Sequence, residues 1–241
     1  MYEPSPFLRF AEDKLQILAL CFMAAVYLLK IRWILSYPAG RDRQATTAVF
    51  TNASKGAKYS LINIAMPWAM GSTRDHPFIY IQFAIFHIGV AVSILMSFLM
   101  PYVPHLIAGT FAVLTMQVIY VAAVIVGVIR MIRRISDPYL KAVSTPDDYF
   151  SLALLIVWLA SSYAAAPNRP ETGEAPLLIY FLLTAFFLIY VPFSKISHYL
   201  YYPFSRWYLG RTLGYRGVFP IKRGPQAHAR VGGENVERTI L

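Results

Sequence analysis

An all-α integral membrane protein, a bundle of five transmembrane helices with the N-terminus outside and the C-terminus cytoplasmic, is expected on three grounds. Of 241 residues, 57% are hydrophobic and 14% charged, where soluble domains carry about 25% charged residues. Mean hydropathy is +0.50. The apolar residues gather into runs near the ~20 residues that a helix needs to cross a hydrocarbon core of about 30 Å. The charge is also lopsided, with 22 Lys and Arg against 12 Asp and Glu and a net charge of +10. In a soluble chain that balance would raise nucleic acid as a partner; in a chain this apolar it reads as the positive bias of cytoplasmic loops.

The spans follow in order. Leu15–Leu35 is the first, interrupted only by Lys30 and Arg32, which lie near its end and can snorkel to the interface. The N-terminal MYEPSPFLRFAEDK is acidic where a signal peptide is basic, so this segment is expected to remain as a spanning helix. Phe78–Met100 and Leu106–Ile129 are the second and third spans, Tyr149–Ala166 a shorter fourth, and Leu177–Leu200 a fifth with Pro192, Lys195 and His198 in its last turns.

Loop charge orients the bundle. Segments 30–74, 130–141 and 195–241 hold seven, four and eight of the 22 Lys and Arg, leaving Arg9, Lys14 and Arg169 on the other face. The cation-rich face is cytoplasmic. Residues 1–205 form the transmembrane domain. Within the first cytoplasmic loop Tyr59–Met70 is apolar and aromatic but too short to span, and reads as an interfacial segment with Tyr59 and Trp68 at headgroup level. Residues 206–241 are a basic cytoplasmic tail of little apolar period, either a docking arm or disordered. The inner face, with Arg130, Arg133, Arg134, Lys141, Arg206, Arg211, Arg216, Lys222 and Arg223, is open to an acidic partner or to anionic lipid headgroups.

The chemistry rests with few residues. A single cysteine, Cys21, lies in an apolar run, which excludes a disulfide framework, a Cys-ligated cluster and covalent haem attachment. His228 in the tail and His76 in a loop read as solvated, and His105 as interfacial. His87 sits about ten residues into the second span with no charged neighbour for a turn. An ionisable group at that depth is costly and points to function; the plainer reading is a neutral imidazole bonded to a hydroxyl on another helix. His198 is interfacial by itself, but both histidines fall on the cytoplasmic half of facing helices. Two neutral imidazoles on facing spans are the axial ligand set of a b-type haem, whereas zinc or copper would be under-coordinated by two ligands. Gly89 gives room for close approach of a ring or a helix, and Pro192 offers a bend that lets the two depths meet.

FHIG at Phe86–Gly89, then Met100-Pro101 and Pro104-His105, then VPFSKISH at Val191–His198 together resemble the cytochrome b, or gamma, subunit of respiratory nitrate reductase. The membrane cytochromes of heterodisulfide reductase and of the dissimilatory sulfite-reductase-associated complex are similar. The resemblance covers most of residues 15–205. It implies a membrane anchor, non-catalytic alone, in a prokaryotic cytoplasmic membrane, that carries b haems and exchanges electrons between the quinone pool and cytoplasmic iron–sulfur and catalytic subunits of a respiratory oxidoreductase.

The family's cytoplasm-proximal haem takes histidines at the positions of His87 and His198. Its distal haem takes them at the positions that are here Ser97 and Tyr180, so both distal ligands are absent. The resemblance therefore implies a single haem b, with the hydroxyls of Ser97 and Tyr180 in the vacated distal pocket and any quinone site in the cytoplasmic half. Lys195, about a turn from His198, could serve as a cofactor-binding residue, pairing with a haem propionate or a quinone carbonyl, or could be a snorkelling interfacial lysine. The rival function is a haem-free anchor of the same fold tethering a cytoplasmic oxidoreductase. A transporter would call for internal repeats, broken helices and mid-membrane carboxylates, and the sequence suggests none of these.

Overall fold

The computed structural model describes residues 3–38, 40, 51–69 and 71–221. They are all-α, and five helices are long and apolar enough to cross a membrane: α1, Pro6–Ser36, then α2, Ala53–Ile62, which is too short, then α3, Pro77–Tyr102, α4, Thr110–Ser136, α5, Pro146–Ala165, and α6, Ala175–Tyr190, whose apolar span extends to Phe193. A final helix, α7, covers His198–Tyr215. This is a multi-pass membrane protein. The described residues divide into two compact units, one of residues 3–38, 40 and 71–204, the other of 51–69 and 205–221.

Local chemistry sets the helix ends. Ser5 caps α1 by accepting from the Leu8 amide at 3.1 Å, with Pro6 in the first turn, and so starts the helix nine residues earlier than the apolar run suggests. Residues Phe10–Lys14 form one π-helical turn, which displaces a backbone carbonyl from its usual partner. Gln16 meets that need, its Nε2 donating at 2.8 Å to both Ala11 O and Phe181 O and so tying α1 to α6. Pro77 and Pro146 open α3 and α5 in the position where a missing N–H costs nothing. At α5 the Thr145 amide donates to Asp148 Oδ2 at 2.7 Å, closing a capping box.

In the first unit the helices pack in the order α3, α4, α5, α6, α1. Apolar attraction does not drive helices together in lipid, so close packing of small residues takes that role. Gly89 is one such residue: a Cβ built there would lie 2.4 Å from Ala123 Cβ, so α3 rests directly on α4. Outward faces carry Leu28, Leu29, Phe78 and Phe111, all more than 60% exposed, as lipid-facing positions require. The two ends of this row, α3 and α1, meet at the π-turn, where the Tyr102 hydroxyl donates to Asp13 Oδ1 at 2.7 Å. Elsewhere a cavity lies between them.

One expectation needs correction. The fifth helix does not continue to Leu200: α6 ends at Tyr190, residues 191–193 and 195–197 form two 3-10 turns, and Ser194 between them is extended (φ −102°, ψ 169°). Pro192, which has no N–H to donate and crowds the preceding turn, accounts for the break. His198 is therefore the first residue of α7, on a different helix from Tyr180. Lys30 donates from Nζ to the Pro192 carbonyl at that break and lies 5.7 Å over the Phe193 ring. The carboxylates nearest the spans lie at helix ends, Glu12 and Asp13 in the π-turn of α1 and Asp147 and Asp148 in the first turn of α5.

In the second unit α2 packs on the C-terminal half of α7. Gly210 and Gly214, four residues apart, bring the two backbones together, and a Cβ at Gly56 would lie 2.4 Å from Gly210 O. The Asn52 amide donates to Gly214 O at 3.0 Å, and Arg206 donates to Ser60 O at 3.1 Å and to Asn63 Oδ1 at 2.7 Å. The segment after Pro203 thus continues as helix to Tyr215. It shows little apolar period because its contact face is made of glycines. The expected interfacial stretch begins in α2 and goes on as 3-10 turns at Asn63–Ala65 and Pro67–Ala69. Met70 and the tail from residue 222, including Lys222, Arg223 and His228, lie outside the described residues.

Candidate haem site

The first unit holds an open cleft of about 850 Å³ lined from α1, α3, α4, α5, α6 and the start of α7, onto which His87 and His198 are exposed. Cofactor sites range over roughly 300–1,000 Å³, so the space is large enough for a macrocycle. The cavity walls are mostly aliphatic and aromatic, with polar groups at particular points.

His87 and His198 both line it. Their ring centroids are 6.4 Å apart and the ring planes cross at 82°. Two imidazoles that hold one metal between them, each through a nitrogen about 2 Å away, have ring centres roughly 6 Å apart. The break at Pro192 makes the approach possible, because it releases His198 from the axis of α6. Each ring is also set by a hydrogen bond of its own. His87 Nδ1 lies 2.8 Å from Phe83 O and His198 Nδ1 lies 3.1 Å from Lys195 O. A carbonyl can only accept, so Nδ1 carries a proton in both rings, and in the neutral tautomer the free lone pair is on Nε2. Neither Nε2 has a hydrogen-bond partner among the described residues. Backbone bonds of this kind orient metal-ligating imidazoles generally. Phe83 packs on the His87 ring at 4.1 Å, adding a steric constraint.

Among the described residues no group of three or more His, Cys, Asp or Glu side chains is placed to hold a metal ion. The two imidazoles suit a metal whose remaining ligands come with a cofactor, as the four equatorial nitrogens of a haem do. His76 precedes Pro77 at the start of α3, and His105 lies in the exposed turn Pro104–Leu106; neither lines the cavity. Gly89 faces α4, which leaves it serving helix contact instead of a ring.

Ser97 and Tyr180 have different surroundings. Ser97 lines the cavity, its hydroxyl turned back to Ile94 O at 2.7 Å. Tyr180 is fully buried behind the wall, donating to Ser93 O at 2.6 Å and stacking on Trp158 at 6.4 Å. Trp158 in turn donates to Thr184 Oγ1 at 2.8 Å, and the Ser93 and Ser162 hydroxyls meet at 2.5 Å. This polar seam joins α3, α5 and α6. Tyr180→Phe removes one of its bonds, and interhelical hydrogen bonds in membranes average about 0.6 kcal/mol. A loss of stability of about 0.5–1 kcal/mol in reversible detergent unfolding is expected, with no change in the absorption spectrum of any bound cofactor.

Lys195 has a partner that the sequence did not suggest. Its Nζ pairs with Asp148 Oδ2 at 2.6 Å and its backbone amide donates to Asp147 Oδ2 at 2.9 Å. Asp147 also accepts from the Tyr190 hydroxyl and, at 3.1 Å, from Ser151 Oγ. The start of α5 therefore holds the 195–197 turn whose first carbonyl orients His198. Arg134 approaches Asp148 at 3.6 Å. Arg130, Arg133 and Arg134 all line the cavity, so these three of the basic inner-face residues border the candidate site. Their spacing at the end of the third span could have indicated this, since positions three and four apart share a helix face.

No protein-family model matches the chain, and no solved structure matches it. A curated protein of Nitratidesulfovibrio vulgaris, named only "Protein", is 29% identical over 198 residues, which cover 76% of this chain and 80% of that one.

Proposed function

We propose that this protein is a membrane cytochrome b in which His87 and His198 hold a single haem, and that it serves as the anchor and electron-transfer subunit of a quinone-linked oxidoreductase, similar to the gamma subunit of nitrate reductase. The observation that carries the reading is the pair of imidazoles 6.4 Å apart, each with Nδ1 committed to a backbone carbonyl and Nε2 left as a ligand. A bound haem supplies one-electron redox chemistry at its iron. The chain would contribute two axial ligands, a mostly apolar cleft around them, and a scaffold that fixes both rings before the cofactor arrives.

Electrons would pass between quinol and a cytoplasmic iron–sulfur partner. Ser97 and Tyr180, at the positions where a second haem would need histidines, favour one haem per chain. The tight burial of Tyr180 supports that stoichiometry, since the phenol is already engaged with Ser93. The cation-rich loops support a C-terminus on the cytoplasmic side, and the resemblance implies a prokaryotic cytoplasmic membrane.

A pyridine haemochrome assay on the purified chain is the direct test. One b haem per polypeptide is expected; a chain that purifies folded and colourless from haem-replete cells favours the haem-free anchor. Topology is tested separately with reporters fused after residue 241: a fluorescent protein should glow and alkaline phosphatase should be silent. The opposite pattern would invert the bundle and place the site on the other side of the membrane.

A further inference from the structure

One end of the cavity carries a charge that its own walls leave unbalanced. Arg130, Arg133, Arg134 and Lys195 line it together with a single carboxylate, Asp148. That carboxylate is already engaged by Lys195 and Arg134. Among the described residues no acidic group lies within ion-pair distance of Arg130 or Arg133. Arg130 is only partly exposed, and its guanidinium lies 5.6 Å over the ring of Phe86, the residue beside His87.

A guanidinium cannot shed its proton, and a partly buried one such as Arg130 is costly to leave without a counter-charge; Arg133 beside it is exposed. Its planar fork of donors matches a carboxylate or a phosphate. Residues 130 and 133 lie on one helix face, so two anionic groups a short distance apart would be met by two arginines. Lys195, the cation at first assigned to such a role, is the less suitable one because Asp148 neutralises it.

Resting on the reading of His87 and His198 as haem ligands, we propose that Arg130 and Arg133 form the cradle for the two propionate carboxylates of the haem and fix which edge of the macrocycle faces this end of the cavity. The same chemistry could be drawn from a lipid phosphate, so the test must separate the two sources.

The experiment uses the full chain, produced in haem-deficient cells and purified in detergent, titrated with haemin and with haemin dimethyl ester, whose macrocycle is the same and whose carboxylates are blocked. Wild type should bind haemin at least tenfold more tightly than the diester, both giving a six-coordinate low-spin spectrum. In Arg130→Met/Arg133→Met the two affinities should converge on the wild-type diester value, and the retained diester binding shows that the variant is folded. Should that variant fail to fold, Arg130→Gln alone is expected to narrow the preference at least threefold. Equal affinity of wild type for both porphyrins would overturn the cradle and leave the histidine ligands standing. Absence of a six-coordinate spectrum with either porphyrin would remove the haem reading and the cradle with it. If phosphatidylglycerol at saturating levels abolishes the preference of wild type for haemin, the arginines belong to a lipid phosphate and the proposal fails.

Discussion

With the haem held as proposed, His87→Ala and His198→Ala are each expected to reduce haem retention through purification by about tenfold or more, equivalent to at least ~1.4 kcal/mol of binding. The residual haem should be five-coordinate and high-spin, because one axial position is lost while the other imidazole keeps its orientation. The bonds from Nδ1 to Phe83 O and to Lys195 O are independent of each other, so removing one ring leaves the second in place. Neither substitution touches a packed helix contact, since both rings open onto the cavity. The chain should therefore accumulate at the wild-type level. If both variants keep a full complement of low-spin haem, the ligands lie elsewhere and the proposed function loses its main support.

Gly89→Val is the substitution expected to cost most in stability. Its first carbon would lie 2.4 Å from Ala123 Cβ, an atom fixed to the α4 backbone, so relief requires the two helices to separate. Overpacking of this kind costs about 1–3 kcal/mol, and the upper end applies where the obstructing atom cannot swing aside. Detergent unfolding should show a loss of about 2–3 kcal/mol for Gly89→Val. Gly109→Ala is the control. Space there is open and the backbone φ of −69° suits any residue, so no loss is expected. Similar unfolding midpoints for the Val variant and wild type would mean that α3 and α4 are farther apart than described. Because Gly89 follows His87 by two residues, displacement of α3 should also weaken haem retention, but as a secondary effect that scales with the loss of stability.

Much of the architecture was legible along the chain because hydrocarbon imposes a length and a composition on any helix that crosses it. Four of the five spans were recognisable from apolar runs alone, with ends misplaced where a cap such as Ser5 or a proline outweighs hydropathy. The fifth was recognisable only as far as the break. Pro192 was visible as a bend, but whether a proline in such a run bends or ends a helix depends on what receives the freed carbonyl, and that group is Lys30, 162 residues away in sequence. The α2–α7 pair was hidden for a different reason: helices that meet through Gly56, Gly210 and Gly214 leave no apolar stripe to read.

The histidine pair was identifiable because an imidazole in an apolar span is rare enough to require a reason. Its partners were not. Asp147 and Asp148 looked like loop residues beside Pro146, yet they hold the turn that orients His198 and occupy Lys195. Arg130 and Arg133 looked like surface cations, yet they border the cavity. Membrane insertion, the five spans and the uneven charge follow from composition and order, since each depends on what a segment contains. The distance between two rings, the partner of a lysine and the shape of a cleft depend on groups distant in sequence that meet only when helices pack, so the folded chain alone decides them.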